Sequence, residues 1–266
     1  MKKNLLLPAA VFVLCFTTFT LAQTSPPNLR ELKLVAQLPR ELPQRIADLA
    51  YDGEQLWAAI YHGRGLYAKL DPSSLTWTID NDAEHHRAIA EVAGKFESPG
   101  GVCFAKERLW IGGSYGQSFG SIDRNSWKID RIFKRMHRPD PASQSYAGLA
   151  CDGNNLWIAW HWFKYVEPTS RTQVLLQVDP ATGNVLAEYP LPAGTRNDGA
   201  HALTWDGEKL WHMKDQRLSA IDPSSGRVIA QYRIEGVERP SGLAWVKGSM
   251  WISEFNGRIW HLPFTR

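Results

Sequence analysis

The sequence contains little cysteine and methionine and no strong excess of charge of either sign. Its 266 residues include 3 Cys and 4 Met, and 30 Lys and Arg stand against 27 Asp and Glu. A disulfide-rich scaffold needs much more cysteine, and a chain kept open by its own charge needs much more charge of one sign. With 44% hydrophobic and 21% charged residues, the composition is that of a globular protein.

Only one long apolar run occurs, and it lies at the N-terminus. Lys2 and Lys3 precede an apolar stretch over residues 5–19, and small residues follow as far as Ala22. This order of charged, apolar and small residues is typical of a secretory signal, so we predict a signal peptide over residues 1–22. The rest of the chain, residues 23–266, is expected to be one exported domain, periplasmic or extracellular, with no membrane partner after cleavage.

Cleavage would remove two of the 30 basic side chains and leave 28 against 27 acidic ones. Binding to nucleic acid needs a concentrated basic face, and the one basic cluster is a short stretch over residues 131–138. We therefore expect no nucleic-acid partner. Cys103 and Cys151 would remain; both lie in apolar segments, which favours two buried thiols, and a disulfide is the alternative.

What the sequence has in excess is tryptophan, 12 residues in all, and five of these belong to an internal repeat. The repeat ends in Leu-Trp or Met-Trp, and three copies carry Asp-Gly four residues before the Trp. Its copies are residues 49–57, 102–110, 149–157, 203–211 and 243–251. Asp-Gly between two apolar runs is a strong hairpin signal, and a period of 40 to 54 residues is typical of propeller blades.

A second turn follows in most copies, as in Asp179-Pro180 and Asp222-Pro223, so each unit has room for four strands. We therefore predict an all-β, five-bladed β-propeller of four-stranded antiparallel blades. The last unit lacks an outer strand, and residues 31–39 resemble one, so they are expected to close the ring in the last blade. The predicted blades cover about residues 45–81, 98–134, 146–190, 199–235 and 240–264. A short helix is expected between the first two blades, with Asp82 as its N-cap.

In a propeller, the segments that enter the innermost strands and leave the second strands share one face, where such folds usually bind ligands. We predict that polar and aromatic residues there bind a small-molecule or peptide ligand. These candidates are Trp160, His161, Trp162, Tyr165, Lys214, Asp215, Arg45 and Tyr61.

Three titratable residues at the same face are candidates for acid-base catalysis: His201, Glu254 and Asp48. His201 and Asp48 stand where the other copies carry small residues, and a structural role is the alternative for each of the three. The sequence contains no metal-binding spacing, so no metal ligand is predicted; the cofactor is unknown, and a divalent cation in the channel stays open.

The repeats over residues 45–262 resemble those of exported bacterial propellers that include glutaminyl cyclase and virginiamycin B lyase. The resemblance to the cyclase extends to residues 241–245, and that to the lyase extends to residues 251–254. It implies a five-bladed fold and leaves the reaction open. The leading function is therefore that of a monomeric, exported ligand-binding propeller. A cyclase-like or streptogramin lyase-like enzyme and a protein-interaction scaffold are the alternatives.

Overall fold

Each Leu-Trp repeat forms the inner hairpin of a four-stranded antiparallel sheet in the computed structural model of the protein. The structure describes residues 26–61, 64–94, 98–114, 118–134, 143–163, 171–191 and 202–264. Five such sheets, the blades, form a ring, which confirms the predicted all-β five-bladed propeller. The predicted signal peptide, residues 1–22, lies outside the described residues.

The strands follow one another from the inside of each blade to its outside. Blade 1 contains β2 (Ile46–Tyr51), β3 (Leu56–Ile60), β4 (Tyr67–Leu70) and β5 (Trp77–Ile79). Blade 2 contains β6 (Pro99–Ala105), β7 (Arg108–Gly113), β8 (Ser118–Asp123) and β9 (Ile129–Lys134). Blade 3 contains β10 (Ser143–Cys151), β11 (Leu156–Phe163), β12 (Arg171–Val178) and β13 (Val185–Pro190). Blade 4 contains β14 (Ala202–Trp205), β15 (Leu210–Lys214), β16 (Arg217–Ile221) and β17 (Val228–Arg233).

Blade 5 is built from both ends of the chain, as predicted. It contains β18 (Pro240–Val246), β19 (Ser249–Glu254), β20 (Arg258–Pro263) and, on the outside, β1 (Lys33–Gln37). Strand β1 follows a 3-10 helix (Leu29–Glu31) and pairs antiparallel with β20, with Leu34 opposite Trp260. This pairing covers the edge of β20 and closes the ring, which removes an edge that could pair with another chain.

The recurring Asp and Trp of the repeat bind each other within the inner hairpin. Asp52 Oδ1 accepts hydrogen bonds from the amides of Glu54 and Gln55, at 2.8 and 2.7 Å, while its Oδ2 accepts one from Trp57 Nε1 at 2.8 Å. Gly53 follows with a φ of +104°, which favours glycine. The same bond joins Asp152 to Trp157 and Asp206 to Trp211. The motif is therefore a self-contained turn that also positions a large core side chain.

A single α-helix, α1 (Ala83–Ala93), lies between blades 1 and 2 in the described part of the chain, as expected. Asp82 caps its N-terminus by accepting hydrogen bonds from the amides of Glu84 and His85. Ile89 and Val92 are buried in the core between the two blades. No helix of the described residues has the length and apolar character that a bilayer-spanning helix needs.

The preference for two free thiols is wrong. Cys103 of β6 and Cys151 of β10 form a disulfide, with their Cα atoms 6.2 Å apart. The two residues lie on the innermost strands of neighbouring blades, where closure of the ring brings together positions 48 residues apart. The sequence could not show this contact because it depends on how adjacent blades are packed.

Candidate functional site

One face of the ring carries the starts of the innermost strands and the ends of the second strands, and we call it the upper face. The register shows this directly, because Ile46 at the start of β2 pairs with Ile60 at the end of β3. Likewise, Pro240 pairs with Glu254. The predicted site residues that the structure describes belong to this level of the fold, so their burial and contacts determine which of them could reach a ligand.

The innermost strand has a β-bulge just below the upper face in blades 1, 2, 3 and 5. The residues at the bulges are all small: Ala47, Gly100, Ala147 and Ser241. His201 holds the corresponding place in the repeat of blade 4, but it lies outside the described residues. A role for His201 therefore stays a prediction.

Asp48 directs its carboxyl group into the centre of the ring. The carboxyl oxygens accept hydrogen bonds of 2.8 Å from the amides of Leu49 and Val102. The amides of Leu149 and Leu243 also point at it closely enough to lower its pKa, so the carboxyl group faces the innermost strands of four blades. Burial raises the pKa of Asp48 well above its ordinary value, and these amides partly lower it again.

This environment gives no support to the catalytic role predicted for Asp48, which stays a prediction. The residue has no exposed surface, and its carboxyl group is surrounded by main-chain donors. The corresponding positions in the other blades hold only Gly or Ala: Gly101, Gly148, Ala202 and Gly242. One acidic side chain therefore lies where the innermost strands of four blades meet, and these contacts favour the structural alternative for Asp48.

Glu254 is also buried, and the catalytic role predicted for it is not supported by its contacts. Its Oε1 accepts hydrogen bonds from the amides of Glu238 and Arg239, at 2.9 and 3.1 Å. Its Oε2 accepts one from Trp260 Nε1 at 2.7 Å. The side chain has no exposed surface, because it fixes the segment before β18 against β20. Glu254 therefore acts within blade 5 and does not face a ligand.

Trp160 is 3% exposed and packs in the apolar core between blades 2 and 3, together with Tyr146 and Val174. This burial gives no support to the stacking role predicted for Trp160, which stays a prediction. Trp162 lies in β11, but its side chain is outside the described part of the structure. Tyr165 is outside the described residues altogether.

Three polar side chains face the gap between blades 3 and 4. Two of them, His161 and Lys214, were predicted from the sequence, and the third, His212, was not. Side chains alternate along a strand, so His161 of β11 faces the same way as Ala159, and His212 and Lys214 of β15 face the same way as Leu210. Ala159 and Leu210 belong to one core cluster between the two blades. The lower part of this gap is therefore apolar and its upper part polar.

His212 is exceptional at its position in the repeat. His212 lies opposite Leu203 of the innermost strand, and the four matching positions are apolar: Ala58, Ile111, Ile158 and Ile252. Lys214 matches Ile60, Gly113, Trp160 and Glu254. His161, His212 and Lys214 are 5%, 0% and 3% exposed. An alignment of the five repeats could have found His212, because it follows the Leu-Trp pair that Ile or Ala follows elsewhere.

The electrostatic environment of His212 keeps its imidazole neutral at ordinary pH. Burial and, to a smaller extent, the charge of Lys214 together lower the pKa of His212 to about 3. A neutral imidazole can both donate and accept a hydrogen bond, while the lysine ammonium can only donate. The gap can therefore offer a ligand a fixed positive charge and an uncharged ring beside it.

Asp215 lies at the upper end of the same blade, in the turn between β15 and β16. It lines an open cleft of about 720 Å³ whose other lining residues are Gln216, Arg217, Gln231, Tyr232, Arg233 and Glu238. Within it, Arg233 Nη2 donates to Gln216 Oε1 at 3.2 Å and Gln231 donates to Ser219 at 3.0 Å. The lining is almost entirely polar and carries both signs of charge.

Arg45 and Tyr61 lie at the rim of the upper face, and the structure adds Arg239 and Phe255 to them. The guanidinium carbon of Arg239 is 4.3 Å from the centre of the Phe255 ring, and that of Arg45 is 5.9 Å from it. The Tyr61 ring meets the same Phe255 ring edge-on at 5.2 Å. Blades 5 and 1 thus share a cluster of two arginines and two aromatic rings.

Within the described residues, no group of three or more His, Cys, Asp or Glu side chains is arranged to hold a metal ion. His85 pairs with an acidic side chain beside the start of α1, since its Nδ1 lies 3.0 Å from Asp80 Oδ2. His85 is stacked on the Trp127 ring at 3.6 Å, so its ring is part of the packing of the helix.

Comparison with known proteins supports the fold and adds no closer relationship. No protein-family model matches the chain, and no curated protein matches it by sequence. Among solved structures, the glutaminyl cyclase of Myxococcus xanthus is similar, with a TM-score of 0.57 and 10% identity over 88% of this chain and 97% of that one. The virginiamycin B lyase of Staphylococcus aureus is similar with a TM-score of 0.51 and 12% identity, over 88% and 99%. The resemblance seen in the repeats is therefore confirmed at the level of the propeller fold.

Proposed function

We propose that this protein is an exported, monomeric propeller that binds a small or peptidic ligand on its upper face, over the gap between blades 3 and 4. One observation carries the proposal: His212 and Lys214 are buried side by side in one strand, and His212 stands at a repeat position that is apolar in the other four blades. Burying a lysine and a histidine costs stability compared with apolar residues of similar size. Buried titratable groups with strongly shifted pKa values, such as His212, cluster at functional sites.

Three further candidates belong to the same region of the chain. Trp162 and Tyr165 follow His161 at the upper end of blade 3, and His201 immediately precedes the first strand of blade 4. We propose that they complete the site, with the aromatic rings against the ligand and His201 at the bulge position. The disulfide between Cys103 and Cys151 supports export, because disulfides persist in oxidising compartments.

The dipeptide glutaminyl-phenylalanine tests this proposal, with binding measured by isothermal titration calorimetry. We expect Lys214→Met to weaken binding by about ten-fold or more, since one buried charge contact is lost. Lys69→Met is the matched control, because Lys69 lies over the Trp57 ring of blade 1, away from the gap, and should bind like the wild type. Equal affinities for the wild type and Lys214→Met would contradict the proposal.

The alternative is an enzyme similar to a glutaminyl cyclase or a streptogramin lyase, and the likeness of the two folds supports it. Because the contacts of Asp48 and Glu254 favour structural roles, such chemistry would depend on His161 and His201. The same dipeptide distinguishes the two functions, since cyclisation releases ammonia and changes the mass of the peptide. With a binding protein the dipeptide cyclises no faster than it does in buffer alone, whereas a cyclase accelerates this conversion and His201→Ala returns the rate to that of buffer alone.

A further inference from the structure

The outer half of blade 4 carries a polar surface that the matching parts of the other blades lack. We propose that this surface and the cleft at its upper end form a binding site for a short, neutral saccharide. The inference goes beyond the proposed function, because it concerns the outer strands of blade 4 and a different class of ligand.

A row of three polar residues crosses the sheet of blade 4. His212 of β15 lies opposite Ser219 of β16, which lies opposite Gln231 of β17. Residues directly opposite each other in antiparallel strands share one face of the sheet, so the three side chains lie side by side from the second strand to the outermost one. Gln231 Nε2 donates to Ser219 Oγ at 3.0 Å, which joins the outer two members of the row.

The same row in the other blades is almost entirely apolar. The matching residues are Ala58, Ala68 and Ile79 in blade 1, Ile111, Gly120 and Ile132 in blade 2, Ile158, Leu176 and Glu188 in blade 3, and Ile252, Trp260 and Leu34 in blade 5. His212 and Ser219 have no exposed surface, and burying a polar group costs stability compared with an apolar one. Folding of a blade therefore does not require polar residues in this row.

The outer end of the row opens into the cleft of about 720 Å³ at the upper end of blade 4, because Gln231 belongs to both. This volume lies within the range of about 300–1,000 Å³ that is usual for small-molecule sites. Most such sites are lined mainly by apolar side chains, whereas Tyr232 is the one described lining residue of this cleft with an aromatic or aliphatic side chain. The polar lining therefore favours a ligand that is rich in hydrogen-bonding groups.

The charges of the cleft indicate that this ligand is neutral. The described lining contains two acidic and two basic side chains: Asp215, Glu238, Arg217 and Arg233. Neither sign of charge is in excess among these residues, so the cleft has no preference for an anion or a cation. A polar ligand without net charge fits this balance.

Two amide side chains give the cleft its hydrogen-bonding capacity. Within the described ranges, the side chain of Gln231 makes one hydrogen bond, to Ser219, and that of Gln216 makes one, from Arg233 Nη2 at 3.2 Å. A glutamine amide has two N–H donors and an oxygen that can accept two bonds, so each amide is oriented by one bond and keeps further donors and acceptors. Each sugar hydroxyl both donates and accepts, and a saccharide presents several of them together without charge.

Calorimetric titrations of the full protein with maltotriose, cellotriose and triacetylchitotriose test the inference, with trigalacturonate as their charged counterpart. We expect at least one neutral trisaccharide to bind, and Gln231→Leu and Gln216→Leu each to weaken its binding by about ten-fold. Added salt should leave this binding unchanged, because the ligand has no charge. Glu188→Leu is the matched control and should bind like the wild type, since Glu188 holds the position of Gln231 in the row of blade 3.

Three results would overturn the saccharide site: no neutral trisaccharide binds the wild type, both glutamine variants bind as well as the wild type, or trigalacturonate binds more tightly than every neutral probe. Because Gln231 is exposed and Gln216 half-buried, both variants should unfold at the temperature of the wild type, which shows that the fold is kept.

The outcomes also separate this inference from the proposed function. If trisaccharide binding depends on Gln231 while Lys214→Met leaves glutaminyl-phenylalanine binding intact, the saccharide site stands and the proposed function of the gap between blades 3 and 4 fails. If the dipeptide binds through Lys214 and no trisaccharide binds, the proposed function stands and the saccharide site fails.

Discussion

The carboxyl group of Asp48 accepts a hydrogen bond of 2.8 Å from the amide of Val102 and so joins the innermost strands of blades 1 and 2 at the centre of the ring. Since burial raises the pKa of Asp48 in the folded protein, the folded state holds its proton to higher pH than the unfolded state does. The stability that Asp48 contributes through this raised pKa is therefore full below pH 4 and decreases as the pH rises above that value.

Asp48→Asn removes this titration. We expect the variant to gain stability relative to the wild type between pH 4 and pH 8, by about 1.4 kcal/mol for each unit by which the pKa is raised. Urea unfolding at several pH values measures the difference. Asp71→Asn is the control, because the pKa of exposed Asp71 is lowered by turn amides and its effect is confined to acidic pH. If the free energies of unfolding of Asp48→Asn and the wild type differ by the same amount at every pH, the raised pKa of Asp48 is contradicted.

His212 gives a pH dependence of the opposite sign. Its pKa is lowered to about 3, so the unfolded chain takes up a proton below pH 6.5 that the folded protein rejects. The stability that His212 contributes is full above pH 6.5 and is lost as the pH falls towards 3, by about 5 kcal/mol in total. His212→Ile, the residue found at this position in three other blades, should lose much less between pH 7 and pH 4. If the free energy of unfolding depends on pH in the same way for the wild type and His212→Ile, the lowered pKa of His212 is contradicted.

Glu254→Gln separates structure from catalysis at the upper end of blade 5. The amide puts an NH2 group where one carboxylate oxygen now accepts hydrogen bonds, from two backbone amides or from the Trp260 indole. We expect the free energy of unfolding to fall by about 2–4 kcal/mol. Glu238→Gln, at an exposed neighbouring position, should change it by about 0.5 kcal/mol or less. A stable Glu254→Gln protein that had lost an activity would restore the catalytic interpretation.

The disulfide between Cys103 and Cys151 should stabilise the contact between blades 2 and 3. It closes a loop of 48 residues, for which the chain-entropy relation gives about 4 kcal/mol. Reduction, or replacement of both cysteines by alanine, should therefore lower the midpoint of thermal unfolding by several degrees, and thiol titration of the denatured protein should detect no free thiol at either residue before reduction. An unchanged midpoint after reduction would show that the bond contributes nothing.

The fold was predictable because its signals are local. Asp52, Gly53 and Trp57 make a turn within six residues, and the turn needs no other part of the chain. Five such units at a regular period indicate a ring, and the resemblance of residues 31–39 to an outer strand indicates how it closes. The capped helix α1 follows from Asp82 in the same way.

The site was predictable only in part, because exposure is not a local property. Asp48, Glu254 and Trp160 occupy the expected level of the fold, yet hydrogen bonds and packing from neighbouring strands enclose them. His212 was not predicted as a site residue, because a single histidine in a strand gives no signal by itself. Only comparison of the five repeats shows that the matching positions hold Ile or Ala. Arg239 became significant only beside Phe255 and Arg45.

Turn chemistry and the period of the repeats thus determine that this chain folds into a five-bladed ring closed by its own N-terminal strand, since each depends on residues close in sequence. The disulfide, the acidic residue at the axis, the polar gap between blades 3 and 4 and the arginine pair at the rim depend on which blades become neighbours. Those contacts join residues tens to hundreds of positions apart, and only closure of the ring brings them together.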